Sequence, residues 1–303
     1  MVISASRRTD IPAFYGEWFM HRLDAGYCEV ANPFNPDQIS RISLAPEDVD
    51  AIVFWTRYPR TLLDRLEAIR GRGYPLAFLY TVVDYPRRLE PASPPLQKRI
   101  GAFRTVVDAT GPRAAVWRYD PIIVSNLTPP AFHRERFARI ADALSGYVDR
   151  VIISLLQPYR SVMRALGQVP GLDLADHGST GTELQASAAP GTEILVLLRD
   201  LAADAAERGL TVQSCADPRV AAVPGIEAGA CISEDLIQAA GAATHLRPRA
   251  ANQRTHCRCL ESRDIGAYET CLFGCRYCYA THGTTKAREN ARRHDPTAGR
   301  LVP

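Results

Sequence analysis

The feature of the sequence that most constrains the fold is a regular alternation of short apolar runs with helix-like stretches over the first two thirds of the chain. Residues 51–56 form a continuous apolar run, which is typical of a strand buried on both faces of a parallel sheet. The predicted strands cover residues 2–5, 27–31, 51–56, 76–83, 114–119, 151–156 and 210–215. The predicted helices cover residues 12–25, 61–70, 96–107, 129–144 and 190–208.

This alternation corresponds to about seven β/α units and predicts a parallel α/β sheet. We predict a (β/α) barrel of the TIM-barrel type, partial or complete, with a doubly wound open sheet as the alternative. No glycine-rich phosphate loop follows a predicted strand, which disfavours the open dinucleotide-binding sheet. Residues 1–216 are assigned to the barrel domain. Residues 217–303 are assigned to a C-terminal cysteine-rich, cluster-binding extension that ends in a frayed tail.

Charge and hydropathy narrow the classes of function. The formal net charge of the 303 residues is +3, which disfavours a dedicated nucleic-acid binder and leaves only a local basic patch as an alternative. No apolar run is long enough to span a bilayer, and the first ten residues lack the layout of a secretory signal. We therefore expect a cytoplasmic protein without a membrane partner.

The chain contains eight cysteines, and five of them are crowded between Cys257 and Cys278. Crowded cysteines in a reducing compartment indicate metal or cluster ligands rather than disulfides. Cys271, Cys275 and Cys278, here called the loop trio, have the spacing C-x3-C-x2-C. Three thiolates on a short loop hold three irons of a [4Fe–4S] cluster and leave the fourth iron without a protein ligand.

Zinc is the alternative to iron and sulfide. Cys257 and Cys259 together with Cys275 and Cys278 would supply a four-sulfur tetrahedral site. Zinc sites normally use matched C-x2-C pairs, however, and Cys271 would then be left over. The spacing therefore favours a cluster on the loop trio.

Four further cysteines suffice for a second, fully ligated [4Fe–4S] cluster. They are Cys215, Cys231, Cys257 and Cys259, here called the cysteine quartet. The alternative is that Cys215 and Cys231 are buried apolar side chains, as free cysteines often are. Cys28 alternates with Val30 in a predicted strand, so we expect it in the core.

The run Cys275-Arg-Tyr-Cys278-Tyr-Ala280 resembles the radical S-adenosylmethionine (SAM) signature, and especially its spore-photoproduct-lyase-like branch. The resemblance implies that the open iron chelates the amino and carboxylate groups of SAM. It also implies that the reduced cluster passes one electron into the sulfonium, so that a 5′-deoxyadenosyl radical forms and starts chemistry on an unknown substrate. An electron donor such as ferredoxin or flavodoxin is implied as a partner.

A second resemblance extends over the whole chain. Residues 2–10, 51–56 and 264–268, together with the loop trio, resemble the domain-of-unknown-function 1848 family, which is described by a C-terminal, radical-SAM-like cysteine cluster. In most radical-SAM enzymes the motif instead follows the first barrel strand. The resemblance implies a cluster and supplies no known substrate. An iron–sulfur electron-transfer or redox-sensing protein and a zinc-stabilised binding module stay as alternatives.

Polar residues follow several predicted strands, where ligands gather in parallel α/β folds. An arginine binds a carboxylate through two parallel hydrogen bonds, and an aspartate accepts from hydroxyls. We predict that this set holds SAM and substrate; the alternative is that its members form buried ion pairs or helix caps. The candidates are Arg7, Asp10, Asn32, Thr56, Arg118, Asp120 and Gln157.

Overall fold

The computed structural model of the chain describes residues 1–176, 190–242 and 256–303. Within these ranges the chain forms strands β1 (Val2–Ala5), β2 (Tyr27–Asn32), β3 (Asn35–Ser43), β4 (Ala51–Thr56), β5 (Leu76–Thr81), β6 (Ala115–Ile122), β7 (Arg150–Leu155), β8 (Thr211–Cys215), β9 (Ile226–Gly229) and β10 (Ser262–Asp264). The helices are α1 (Ile11–Phe14), α2 (Gly16–Ala25), α3 (Leu66–Arg70), α4 (Leu96–Thr110), α5 (Pro130–Ala143), α6 (Arg160–Gly167), α7 (Thr192–Glu207), α8 (Pro218–Ala221), α9 (Glu234–Ala239) and α10 (Thr284–Arg293).

Eight of the strands form one sheet in the order β10-β1-β4-β5-β6-β7-β8-β9, and every neighbouring pair is parallel. The mixed α/β architecture with a parallel sheet is therefore confirmed. β9 and β10 are the two edge strands of this sheet, and no ladder joins them in the described part of the chain. A backbone hydrogen bond from the Leu260 N–H to the Ile232 carbonyl, at 2.9 Å, connects the segments beside these edges.

The two faces of the sheet are packed differently because successive side chains of a strand point to opposite sides. On one face, large aromatic side chains pack against the helices. The ring of Phe54 lies 5.3 Å from that of Phe19 in α2, and the ring of Trp117 lies 4.8 Å from that of Phe137 in α5. On the other face, smaller strand residues pack against α9 and three cysteines. The strand residues are Val2, Ala51, Val53, Ala77, Leu79, Val116 and Ile152, and they pack against Leu236 and Ile237 of α9 and against Cys215, Cys231 and Cys259.

One predicted strand lies outside the parallel sheet. β2 pairs with β3 in a separate antiparallel hairpin, where we expected another β/α unit. The reversal occurs because the Asn32 side chain accepts a hydrogen bond from the Phe34 N–H at 2.9 Å, an Asx-type turn that sends the chain back along β2. The helix predicted over 12–25 is also interrupted at Tyr15, which separates α1 from α2.

The chain after residue 216 contributes to the same sheet. β9 and β10 come from the residues predicted to form an extension, so the sheet spans the predicted boundary. The prediction of a frayed tail is wrong, because α10 is followed by a segment that packs on α2. The Trp18 indole N–H donates to the Ala298 carbonyl at 3.0 Å, and Leu301 is buried. No described helix is long and apolar enough to cross a membrane.

Candidate metal centres

The loop that carries the loop trio follows β10 and is held by the segment between β5 and α4. The Arg276 N–H donates to the Leu89 carbonyl at 2.9 Å, and the Ala92 N–H donates to the Phe273 carbonyl at 3.3 Å. As residues, Cys271, Cys275 and Cys278 are partly exposed. The protein scaffold thus fixes the backbone of the loop.

The backbone of the loop turns at Gly274, which adopts φ +67°. A Cβ atom at this position would lie 2.9 Å from Cγ2 of Thr284. We expect Gly274→Ala to destabilise the protein by about 1–2 kcal/mol, because a left-handed backbone is costly for a residue with a side chain. Urea unfolding measures the effect. Gly283→Ala is the matched control, since a Cβ there meets open space, and equal losses in both variants would contradict the prediction.

The environment of the trio favours thiolates only when a cation is present. Burial, with the nearby Cys278 and Cys275 thiols, holds the pKa of Cys271 well above its usual range. Burial likewise raises the pKa of Cys275 to about 12, although Arg57 acts in the opposite direction. Backbone N–H groups donate to the sulfur atoms of Cys271 and Cys278. A metal centre would supply the positive charge that ionises these thiols.

A buried charged network lies directly beneath the trio. Arg57 Nη1 lies 2.6 Å from Oε1 of Glu90, and the Tyr277 hydroxyl donates to the same carboxylate while accepting from Arg57. Arg99 approaches the other Glu90 oxygen at 3.7 Å. Burial acts to raise the pKa of Glu90, but Arg57 and Arg99 outweigh it and hold the pKa below its usual range. Because Tyr277 lies between two cysteines of the trio, this network anchors the loop.

The cysteine quartet lies beside strands β8, β9 and β10. Cys215 is the last residue of β8, Cys231 follows β9 and Cys259 precedes β10. Their three Sγ atoms lie within 4.8 Å of one another, and all three residues are buried. Cys257 contacts the side chains of Cys215 and Cys259 but is not part of this group of three. The group of three could hold a metal ion.

The two sets of cysteines differ in spacing. Within the described ranges, the quartet alone brings three potential ligand atoms within 4.8 Å of one another, so the three sulfurs of the loop trio do not all lie that close together. The zinc arrangement that pairs Cys257 and Cys259 with Cys275 and Cys278 is not the one that the fold produces. Cys257 and Cys259 are grouped with Cys215 instead.

Several strand-end candidates serve as caps. Asp10 accepts from the Ala13 N–H at 3.0 Å and from the Arg57 N–H at 2.7 Å, while burial raises its pKa to about 7. Thr56 accepts from the N–H of Tyr58 at 3.1 Å.

Two other candidates, Asn32 and Gln157, form hydrogen bonds within the protein. Asn32 Nδ2 donates to the Gln38 side chain at 2.7 Å, and Gln157 Nε2 donates to the Leu155 carbonyl at 3.4 Å. Asn32 lies in the hairpin and not at an end of the parallel sheet.

Two arginine candidates lie together around Trp55. The guanidinium carbons of Arg7 and Arg118 lie 4.9 and 4.8 Å from the centre of the Trp55 ring. Arg118 is paired with Asp120, which also accepts from Ser154. Three buried nitrogen atoms have no hydrogen-bond partner here, namely Arg7 Nη2, Trp55 Nε1 and Arg118 Nε. Unpaired buried donors are costly, so this cluster has the chemistry of an anion-binding site.

Arg118 interacts electrostatically with two cysteines of the quartet and with Tyr279. Burial acts to lower its pKa, but Asp120, Cys231, Cys215 and Tyr279 outweigh it and raise the pKa. Tyr279 directly follows the loop trio, and its hydroxyl donates to the Arg7 carbonyl at 2.7 Å. Trp55 and Tyr279 were not among the predicted ligands. The alternation Ala51, Val53, Trp55 along β4 is the signal that could have placed Trp55 on this face.

The fold and these groups define a (β/α) protein with a parallel eight-stranded sheet and a buried cysteine set that could hold a metal. The chain belongs to the family described as domain of unknown function (DUF1848), whose model matches residues 2–280. Neither the comparison with curated proteins nor that with solved structures found a match.

Proposed function

We propose that the protein is a radical-SAM-type iron–sulfur enzyme in which the loop trio holds a [4Fe–4S] cluster with one open iron. The observation that carries the proposal is the trio itself. It consists of three partly exposed cysteines on one anchored loop, and their sulfur atoms do not all lie within 4.8 Å of one another. Wide spacing suits a cluster because each sulfur binds a different iron. A reduced cluster with an open iron supplies the electron for the reductive cleavage of bound SAM.

The chain's own residues support such a cluster in two ways. Backbone N–H groups of Phe273, Ala280 and Thr281 donate to the sulfur atoms, and such hydrogen bonds tune the potential of an iron–sulfur site. The Arg57 guanidinium lies near Cys275 and offsets negative charge on the loop. The ring of Phe14 packs against the ring of Phe273, which lies between two cysteines of the trio, with centroids 4.7 Å apart.

We further propose that the Arg7, Trp55 and Arg118 cluster binds the carboxylate of SAM or of the substrate. Its three unpaired buried donors require an acceptor, and the side chain of Tyr279 joins this cluster to the end of the loop trio. Reduction would come from a one-electron donor such as ferredoxin or flavodoxin.

The experiment that tests the proposal is anaerobic reconstitution with iron and sulfide, followed by incubation with SAM and dithionite. We expect release of 5′-deoxyadenosine in the complete mixture and none when dithionite is omitted. Cys271→Ala is expected to release none under either condition. Iron and sulfide without release of 5′-deoxyadenosine would instead favour an electron-transfer or redox-sensing protein.

Arg118→Met tests the anion site separately from the cluster. Loss of one charge-assisted hydrogen bond of about 1.5–3 kcal/mol corresponds to a Kd for SAM that rises roughly 10- to 150-fold. Equilibrium dialysis measures the Kd, and iron content should not change. Arg134→Met is the matched control, because Arg134 pairs with Asp200 on the surface. An unchanged Kd for Arg118→Met would exclude this role.

A further inference from the structure

We infer that the cysteine quartet forms a closed tetrahedral site for a single zinc ion that joins the two edges of the sheet, whatever the chemistry of the loop trio. This assignment replaces the second [4Fe–4S] cluster that the cysteine count alone suggests. It depends on the distances, burial and charges around the quartet and on the position of these cysteines relative to the edge strands.

The spacing of the sulfur atoms distinguishes one ion from a cluster. Four thiolates around a single zinc lie about 3.8 Å apart, as follows from a Zn–S bond of about 2.3 Å and tetrahedral angles. In a [4Fe–4S] cluster each cysteine sulfur binds a different iron, so the sulfurs are considerably more separated. The Sγ atoms of Cys215, Cys231 and Cys259 all lie within 4.8 Å of one another, which fits one ion and is too close for a cluster.

Cys257 is the candidate for the fourth ligand. It contacts the side chains of Cys215 and Cys259 and its sulfur accepts the Cys259 N–H, although it lies outside the group of three whose Sγ atoms are all within 4.8 Å of one another. The Ile232 N–H donates to Cys259 Sγ at 3.5 Å. N–H···S hydrogen bonds of this kind orient thiolate ligands and stabilise their charge.

Burial and charge fit a structural zinc site. Three of the four cysteines are buried, and Cys257 is partly exposed. Structural zinc sites have four protein ligands and no open position, unlike catalytic ones. Four thiolates around Zn²⁺ leave a net charge of −2, which requires nearby cations. Arg118 lies near Cys215 and Cys231, and Arg150 lies near Cys231.

The position of the site indicates what the ion does. Cys215 ends β8 and Cys231 follows β9 at one edge of the sheet, whereas Cys257 and Cys259 precede β10 at the other edge. The Leu260–Ile232 hydrogen bond is the backbone link beside them. Zinc–sulfur bonds would therefore connect the two edges where the described residues form no strand ladder. In this way the ion would join the two edge strands and protect their unpaired backbone groups from pairing with other chains.

The test uses the full chain with Cys271, Cys275 and Cys278 all replaced by alanine, so that metal at the quartet is measured alone. After anaerobic expression and exposure to iron and sulfide, we expect about one zinc per chain and no acid-labile sulfide. Cys259→Ala in this background should lose the zinc. Cys28→Ala should keep it, because Cys28 is a buried cysteine in the β2–β3 hairpin outside both sets.

Other outcomes would overturn the assignment. About four irons with sulfide would identify a second cluster, one iron without sulfide would exclude zinc, and no metal at all would exclude the site. If Cys259→Ala fails to fold, cobalt substitution of the unaltered quartet decides the question. A tetrahedral thiolate site gives intense ligand-field absorption in the red, and its absence with cobalt bound would refute the geometry.

Discussion

Cys275→Ala is expected to remove the iron of the loop site and to reduce the release of 5′-deoxyadenosine from SAM to background. The trio supplies only three ligands, so the loss of one leaves the remaining cluster with two. Cys275 also lies near the Arg57 guanidinium, whose positive charge favours the thiolate. No other residue of the loop offers an equivalent sulfur at this position. We therefore expect a loss of cofactor and not merely a slower reaction.

Iron, sulfide and 5′-deoxyadenosine are measured on the reconstituted variant and on Cys28→Ala. Cys28 is buried, and its replacement tests the general cost of losing a core thiol. We expect Cys28→Ala to keep the iron and the activity of the unaltered chain. Zinc at the quartet should be unchanged in both variants. A Cys275→Ala protein that still cleaves SAM would show that the loop does not hold the reactive cluster.

Glu90→Gln is expected to destabilise the protein by about 3–5 kcal/mol, the usual cost of removing one partner from a buried ion pair. The Glu90 carboxylate is buried and lies between Arg57 and Arg99. Glutamine keeps the shape but removes the charge, so Arg57 loses its carboxylate partner in a buried environment. The hydroxyl of Tyr277 also loses a charged acceptor. The loop should consequently hold its iron less firmly.

Chemical denaturation monitored by fluorescence measures the stability of Glu90→Gln. Asp200→Asn is the control, because it breaks an ion pair of similar length, 2.6 Å, between exposed side chains of Arg134 and Asp200. Exposed pairs contribute less than about 1 kcal/mol. Similar losses in the two variants would mean that the buried network does not anchor the loop.

The central strands could be predicted from the sequence because they are buried on both faces. β1, β4 and β7 are short, mostly apolar runs, and such a run can be recognised in the sequence without knowing which strands lie next to it. β10 is Ser-Arg-Asp and is too short and polar to show any period. It becomes a strand because it pairs with β1, a contact between residues about 260 positions apart. Such pairing leaves no local pattern in the sequence.

The parts of the candidate site that depend on the spacing of cysteines along the chain could be predicted. The loop trio shows a fixed spacing, and the cysteines of the quartet suggested a second metal site. The number of ions in that set was not predictable, because it depends on distances between sulfurs from three separate segments. Glu90 was missed because it lies in an irregular, proline-rich stretch and acquires its role only through Tyr277 and two arginines.

The most direct test of the central claim is the electron paramagnetic resonance spectrum of the reduced, reconstituted protein with and without SAM. The quartet should carry zinc and remain silent, so the signal would come from the loop trio alone. If one iron is open, SAM binds it, and we expect the spectrum of a reduced [4Fe–4S] cluster to change when SAM is added. A loop without iron, or a cluster whose spectrum SAM leaves unchanged, would contradict this account.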